Sequence, residues 1–187
     1  ELPDDRKKRY INEYNLSNYD ASVLTSDKSV SDFFDNVIKV DSSLKKSSKI
    51  VVNWITSELF SLLNENEFEI INSPITPENL GKLVKLIIDD VISGKIAKDV
   101  LLEMFSTKKD PDKIIEDKGL KQVIDTNLIE TIVDDVIDEN QKMVEQYLSG
   151  KDKLLGFFVG QAMKKSKGKA NPKILNEILK EKLSKKN

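Results

Sequence analysis

The sequence predicts an all-α protein, a helical bundle body followed by a small three-helix tail. Three observations predict it. Apolar residues recur at helical spacing over long stretches: Leu80, Leu83, Val84, Ile87, Ile88 and Val91 in one run, and Leu128, Ile129, Ile132, Val133, Val136 and Ile137 in another. That recurrence lines one face of a helix with 3.6 residues per turn. No stretch sustains the apolar–polar alternation of a half-buried strand. Helix starts are also written into the chain, because Thr76-Pro77, Asp110-Pro111 and Asn171-Pro172 each place a capping side chain before a proline. Proline at the first helical position loses nothing, since its N–H would have no intrahelical partner, and the cap oxygen satisfies a later orphan donor.

In chain order, Phe33 and Phe34 follow the Leu24-Thr25-Ser26-Asp27 turn and read as core on a helix near residues 31–40. Ile50, Val51, Val52, Trp54, Ile55, Leu59, Leu62 and Leu63 fit one buried helix from about Lys46 to Asn66. Trp54 reads as core, with contact to a domain outside this stretch as the other reading. Ser93-Gly94 breaks the chain between two helices, and further helices are expected near 94–105 and 111–117. The weakest point is Glu116-Asp117-Lys118-Gly119, which divides a helical body, residues 1–118, from a tail domain, residues 119–187.

Composition removes several kinds of chemistry. Among the 187 residues there is no Cys, so neither a disulfide framework nor a thiol nucleophile exists, and no His, the commonest general base and zinc ligand. No apolar run reaches the roughly 18 residues of a membrane span, and no signal peptide is visible. No membrane partner is expected, and the cytoplasm is the expected compartment. A chain opening on Glu1 rather than Met is expected to be part of something longer. Gly168-Lys169 is not a phosphate-binding P-loop, which needs a glycine five residues before Gly168, where Met163 stands. The densest carboxylate cluster, Asp134, Asp135, Asp138 and Glu139, falls on the polar side of its helix, and a solvated face is the preferred reading over a metal site. The chain is expected to be non-catalytic, with no cofactor and no metal of its own.

Charge is segregated. The net charge of −2 hides a stretch from Lys151 to Asn187 with eleven lysines against Asp152, Glu177 and Glu181, a net of +8, while residues 1–150 carry −10. A basic tail on an acidic body suits an anionic partner, or a solubilising charge run. All basic residues but Arg6 and Arg9 are lysines, point charges better matched to phosphates than to reading base edges.

The most distinctive stretch is GFFVGQAMKKSKGKANP, Gly156 to Pro172. Gly156 and Gly160 share a helix face and cost roughly 1 kcal/mol each relative to Ala, which suggests a use. Tight helix–helix packing is the preferred reading, close approach of a phosphate the other. Phe157, Phe158, Val159, Ala162 and Met163 are expected to face the core, and Gly168 to be a C-terminal cap with positive φ. Local structure leaves Lys164, Lys165, Lys167 and Lys169 unexplained. With Lys153 nearby they form a concentrated positive patch, for which RNA phosphates are the natural partner. No aromatic residue lies in 164–187 to stack on bases, which favours shape-based contact with a folded RNA.

That stretch resembles the tail motif of the B subunits of tRNA-dependent amidotransferases. ELPDDRKKRYINEYNLSNYDASVLTSD, NWITSEL (Asn53–Leu59) and ISGKIAKDVLLEMF (Ile92–Phe105) also resemble that family, in order, from Glu1 to about Leu183. The matching tail positions are Gly156, Gly160, Gln161, Met163, Lys164, Gly168, Lys169, Ala170, Asn171 and Pro172; Lys165 and Lys167 sit at variable ones. The resemblance implies a helical domain plus a YqeY-like tail that hold a tRNA body. An upstream catalytic domain, using ATP and Mg²⁺ to activate Glu-tRNA(Gln) or Asp-tRNA(Asn) for amidation, would do the chemistry. It also implies A and C subunits as partners. The expected function is non-catalytic tRNA docking; the alternatives are a helical protein-interaction adaptor without RNA affinity and an independent enzyme.

Overall fold

A computed structural model describes residues 1–121 and 126–185. Among these residues the chain is helical with no β-strand. By its contacts it divides into two units, Glu1–Asp89 with Ala97–Gly119, and Asp90–Ile96 with Leu120–Asn187.

In the first unit, α1 (Pro3–Tyr14), α2 (Asn18–Thr25) and α3 (Lys28–Ile38) come in quick succession because Ser17 and Asp27 each cap the next helix: Ser17 Oγ accepts from Asp20 N–H and Asp27 from Ser29 N–H. The central helix is α3, burying Phe33, Phe34, Val37 and Ile38. Tyr10 and Tyr14 of α1 meet Phe34 edge-on, with ring centroids 5.0 and 5.7 Å away, the geometry aromatic quadrupoles favour. The buried Tyr10 hydroxyl donates to the Ser31 carbonyl at 3.2 Å. Both arginines sit on α1 and bind carboxylates of α3, Arg6 to Asp32 at 2.7 Å and Arg9 to Asp35 at 2.9 Å.

After α4 (Ser42–Lys46), one helix runs through α5 (Ser48–Asn53), a π segment (Trp54–Leu59) and α6 (Phe60–Glu65). The sequence predicts an unbroken α-helix here, and the π segment is the departure. Its physical reason lies in the spacing of the buried residues Val51, Ile55, Leu59 and Leu63. Steps of four residues drift about 40° each on an α-helix, and one wider i→i+5 turn takes up that drift. The Thr56 hydroxyl donates to the Val52 carbonyl at 2.9 Å and competes with the α ladder at the same place. Trp54 is buried.

Beyond a 3₁₀ turn (Ile70–Asn72), α7 (Pro77–Ile88) is capped by Thr76, which accepts from Asn79 N–H. It ends at Ile88, so Val91 falls outside the helix that the periodicity extends to it. Gly81 is where α7 closes on the end of α3: a Cβ there would lie 2.7 Å from Val40 Cγ2 and 3.2 Å from the Val37 carbonyl oxygen. In α8 (Gly94–Thr107), Ser93 Oγ accepts from Ile96 N–H, and in α9 (Pro111–Lys118) Asp110 accepts from Asp112 N–H.

The second unit holds α10 (Thr126–Glu139), α11 (Gln141–Leu148), a 3₁₀ turn (Asp152–Leu154), α12 (Leu155–Lys165) and α13 (Pro172–Ser184). The expected three-helix tail therefore carries four helices among the described residues. Asn140 makes the extra break: its side-chain amide donates to the Val136 carbonyl at 2.8 Å and that of Gln141 to the Ile137 carbonyl at 3.0 Å. Those side chains take carbonyls that a continuing ladder would use. The core is Ile129, Val133, Val136 and Ile137 of α10, Phe158 and Ala162 of α12, and Leu175, Ile178, Leu179 and Leu183 of α13. Leu128, placed by periodicity in the apolar stripe, is 56% exposed, because the buried face is centred on Ile129 and Val133.

Candidate nucleic-acid interface

Helix α12 is two-sided. Phe158 and Ala162 are fully buried, Phe158 meeting Tyr147 and Phe157 edge-on at 6.2 and 5.5 Å. Gly156 and Gly160 lie two positions away from these residues, about 200° around the helix. Both are exposed, and a Cβ at either would meet nothing within 4 Å. The preferred reading of tight helix–helix packing is therefore corrected, since no helix among the described residues seats against them. They leave a bare strip on the outer face. Gly156, Gly160 and Lys164 follow at spacings of four on this face, and Lys153 lies in the 3₁₀ turn just before the helix.

The helix closes in a Schellman motif. Gly168 N–H donates to the Met163 carbonyl at 2.8 Å and Lys167 N–H to the Lys164 carbonyl at 3.1 Å. Gly168 has the expected positive φ, 76°, but the left-handed position just after the cap, usually glycine, is held by Lys167 at φ 55°. This places the Lys167 side chain on a fixed, exposed corner. Ala170 N–H donates to Ser166 Oγ at 3.1 Å, and the buried Asn171 caps α13 by accepting from Ile174 N–H. Pro172 is the first residue of α13, Gln161 is half-buried, and Lys169 lies half-buried in the loop.

The lysines divide into two groups. Lys165 binds Glu139 of α10 at 2.7 Å, a hydrogen bond that raises its pKa, and Lys182 binds Asp134 at 2.7 Å. Two of the four carboxylates of the expected solvated cluster are thus used to join α10 to α12 and α13. Lys153, Lys164 and Lys167 are exposed and make no ion pair among the described residues. Lys165 departs from the expected patch, because it points across to α10.

The first unit has a feature that the sequence reading missed. A groove of about 460 Å³ runs between α2 and the π segment, walled by Tyr19, Lys49, Asn53 and Ser57. Its signal in the sequence is a lone aromatic, Tyr19, among the polar residues opening α2. Among the described residues no group of three or more Asp or Glu side chains could hold a metal ion, and no helix is long and apolar enough to cross a membrane.

The protein is thus a two-unit helical protein with a basic strip on its tail. It belongs to the GatB domain family, whose model matches residues 32–183. It is 54% identical over 184 residues to the B subunit of the aspartyl/glutamyl-tRNA(Asn/Gln) amidotransferase of Rickettsia rickettsii (strain Sheila Smith), a match covering 98% of this chain and 37% of the relative. The B subunits of that name from Alkalilimnicola ehrlichii and Pelagibacter ubique are 50% and 49% identical over 183 residues, covering 98% of this chain and 38% and 37% of theirs. The chain therefore spans little more than a third of the length of these curated relatives.

Proposed function

We propose that this chain is the tRNA-docking, non-catalytic region of the B subunit of a tRNA-dependent amidotransferase, working in the cytoplasm with A and C subunits on misacylated tRNA(Gln) or tRNA(Asn). The observation that carries it is the bare strip of α12, with Gly156 and Gly160 open beside the uncompensated Lys164, with Lys153 in the turn before the helix and with Lys167 at the corner beyond. A sugar–phosphate backbone lies closest to a helix where no side chain intervenes, and these lysine ammonium groups neutralise phosphates. Recognition of this kind reads the shape of a folded RNA rather than its bases. It adds affinity and orients the aminoacyl end without touching it.

The Mg²⁺ that such an amidation needs finds no fitting carboxylate site among the described residues. Gly168-Lys169 lies in a helix cap rather than a phosphate loop. No step of the reaction is assigned to this chain.

The test is anisotropy of folded tRNA(Gln) and tRNA(Asn) with this chain across a salt series, beside a Lys164→Ala/Lys165→Ala/Lys167→Ala/Lys169→Ala variant. Binding that weakens with salt at a slope of roughly a few phosphates, and is lost in the variant, is the expected result. A wild-type chain that binds neither tRNA at low salt would overturn docking by the isolated chain and favour the adaptor reading.

A further inference from the structure

The groove between α2 and the π segment has the parts of a nucleotide pocket, and it lies in the first unit, away from the tail strip in sequence and in unit. Tyr19 is 77% exposed, has no aromatic neighbour, and its hydroxyl makes no hydrogen bond among the described residues. A large aromatic left standing at the lip of a groove is a stacking plane without an occupant. Across from it, Lys49, Asn53 and Ser57 lie on one face of the α5–π helix, four residues apart. The Asn53 amide and the Ser57 hydroxyl are also without partners among the described residues. An amide offers a donor and an acceptor side by side, the pairing that a base edge can take. Val23 and Phe60, half-buried, supply the apolar part of the lining.

The one carboxylate in the groove does not oppose an anionic ligand. Burial pushes Asp20 up, but its hydrogen bonds from Lys49 at 2.6 Å and Ser17 at 2.7 Å outweigh this and hold it ionised, below the ordinary value. Lys49 neutralises it while its own side chain stays 60% exposed, with donors to spare. About 460 Å³ lies within the range of sites that take one small molecule. Part of the wall, Thr56 and Ser57, lies on the π segment, the kind of local irregularity that recurs at functional sites.

We propose that this groove binds one unstacked nucleotide of single-stranded RNA, the base stacked on Tyr19, its edge bonded by Asn53 and Ser57, and its phosphate beside Lys49. The inference does not rest on the tail strip. The tail reads shape through phosphates; this groove takes a base that has left the stack.

The experiment uses this chain and a tetra-adenylate RNA, in one arm carrying 2-aminopurine, with backbone amide shifts followed by NMR. Expected are shifts clustered in residues 17–23 and 49–60, quenching of the 2-aminopurine, and affinity weakened roughly tenfold by Tyr19→Ala but nearly kept by Tyr19→Phe. Tyr19 is exposed enough that neither variant threatens the fold. Inorganic phosphate alone is expected to move signals near Lys49 only. Lys164→Ala/Lys167→Ala is expected to leave the groove shifts intact, so the tail reading can fail while this one stands. Shifts confined to the tail, an unchanged affinity in Tyr19→Ala, or phosphate reproducing the whole pattern would each overturn the proposal. So would an unaltered groove under RNA, which would leave Tyr19 as a contact for a protein partner.

Discussion

Gly81 in the first unit and Gly160 in the second are both mid-helix glycines, and they do opposite things. Gly81 lets α7 close on α3, with a would-be Cβ 2.7 Å from Val40. Gly160, like Gly156, faces open space. A helical glycine costs about 1 kcal/mol relative to alanine. At Gly81 packing within the chain offsets that cost; at Gly160 nothing among the described residues does. The same residue type thus marks an internal contact in the body and an outward surface in the tail.

The largest test of this contrast concerns the two cores. Phe158→Ala is expected to cost about 3–5 kcal/mol, as truncation of a fully buried Phe does. Hydrogen exchange should show protection lost across α10, α12 and α13 while α3 and α7 keep theirs; loss throughout would dissolve the two-unit description. Gly81→Ala comes next. Backbone as well as side-chain atoms stand in the way, so a loss of roughly 1–3 kcal/mol in urea unfolding is expected. Gly160→Ala should instead gain up to about 1 kcal/mol, and Gly156→Ala, in the first turn of α12, less. Gly160→Leu should weaken tRNA binding by anisotropy with no loss of stability. Equal penalties at Gly81 and Gly160 would break the comparison. Smaller still, Lys167→Gly should stabilise the tail by several tenths of a kcal/mol, less than the ~1–2 kcal/mol left-handed penalty, because glycine also loosens the unfolded chain.

The last test is acid. Asp27 and Asp41 are held below their ordinary 3.8 by hydrogen bonds from Ser29 and Ser43. For Asp20 and Asp110 burial acts upward, yet the bonds from Lys49 and Lys82 prevail and the result is again lowered. Each folded value lies below the unfolded one, so the stabilisation is complete above about pH 4 and is lost as pH falls through the lowered values. All four belong to the first unit, so thermal melts between pH 5 and about 2 should destabilise the body more steeply than the tail.

Much of the fold is legible because helices here announce themselves twice, by period and by cap. Thr76, Asp110 and Asn171 cap as their proline neighbours suggest. What escaped has physical reasons. The Asn140 break carries neither glycine nor proline, and depends on two side-chain amides turning back onto carbonyls. The outward glycines are flanked by Phe157, Phe158 and Val159, which makes the run look apolar all round, although only Phe158 and Ala162 are fully buried. Lys165 reads like its neighbours until a partner 26 residues away appears. The groove at Tyr19 joins residues some thirty positions apart, which no local pattern can report.

The π segment has one more consequence, for the history of insertions and deletions. Phe60 N–H reaches back to the Ile55 carbonyl, five residues away rather than four. Trp54–Leu59 therefore stores one residue more than an α turn would hold. Removing a single residue there should let the turn relax to α while Val51 and Leu63 still face the core. The same deletion in α3 or α7 would turn every later side chain by about 100°. Within this long helix, Trp54–Leu59 is the place where the reading length can change by one without rewriting the core.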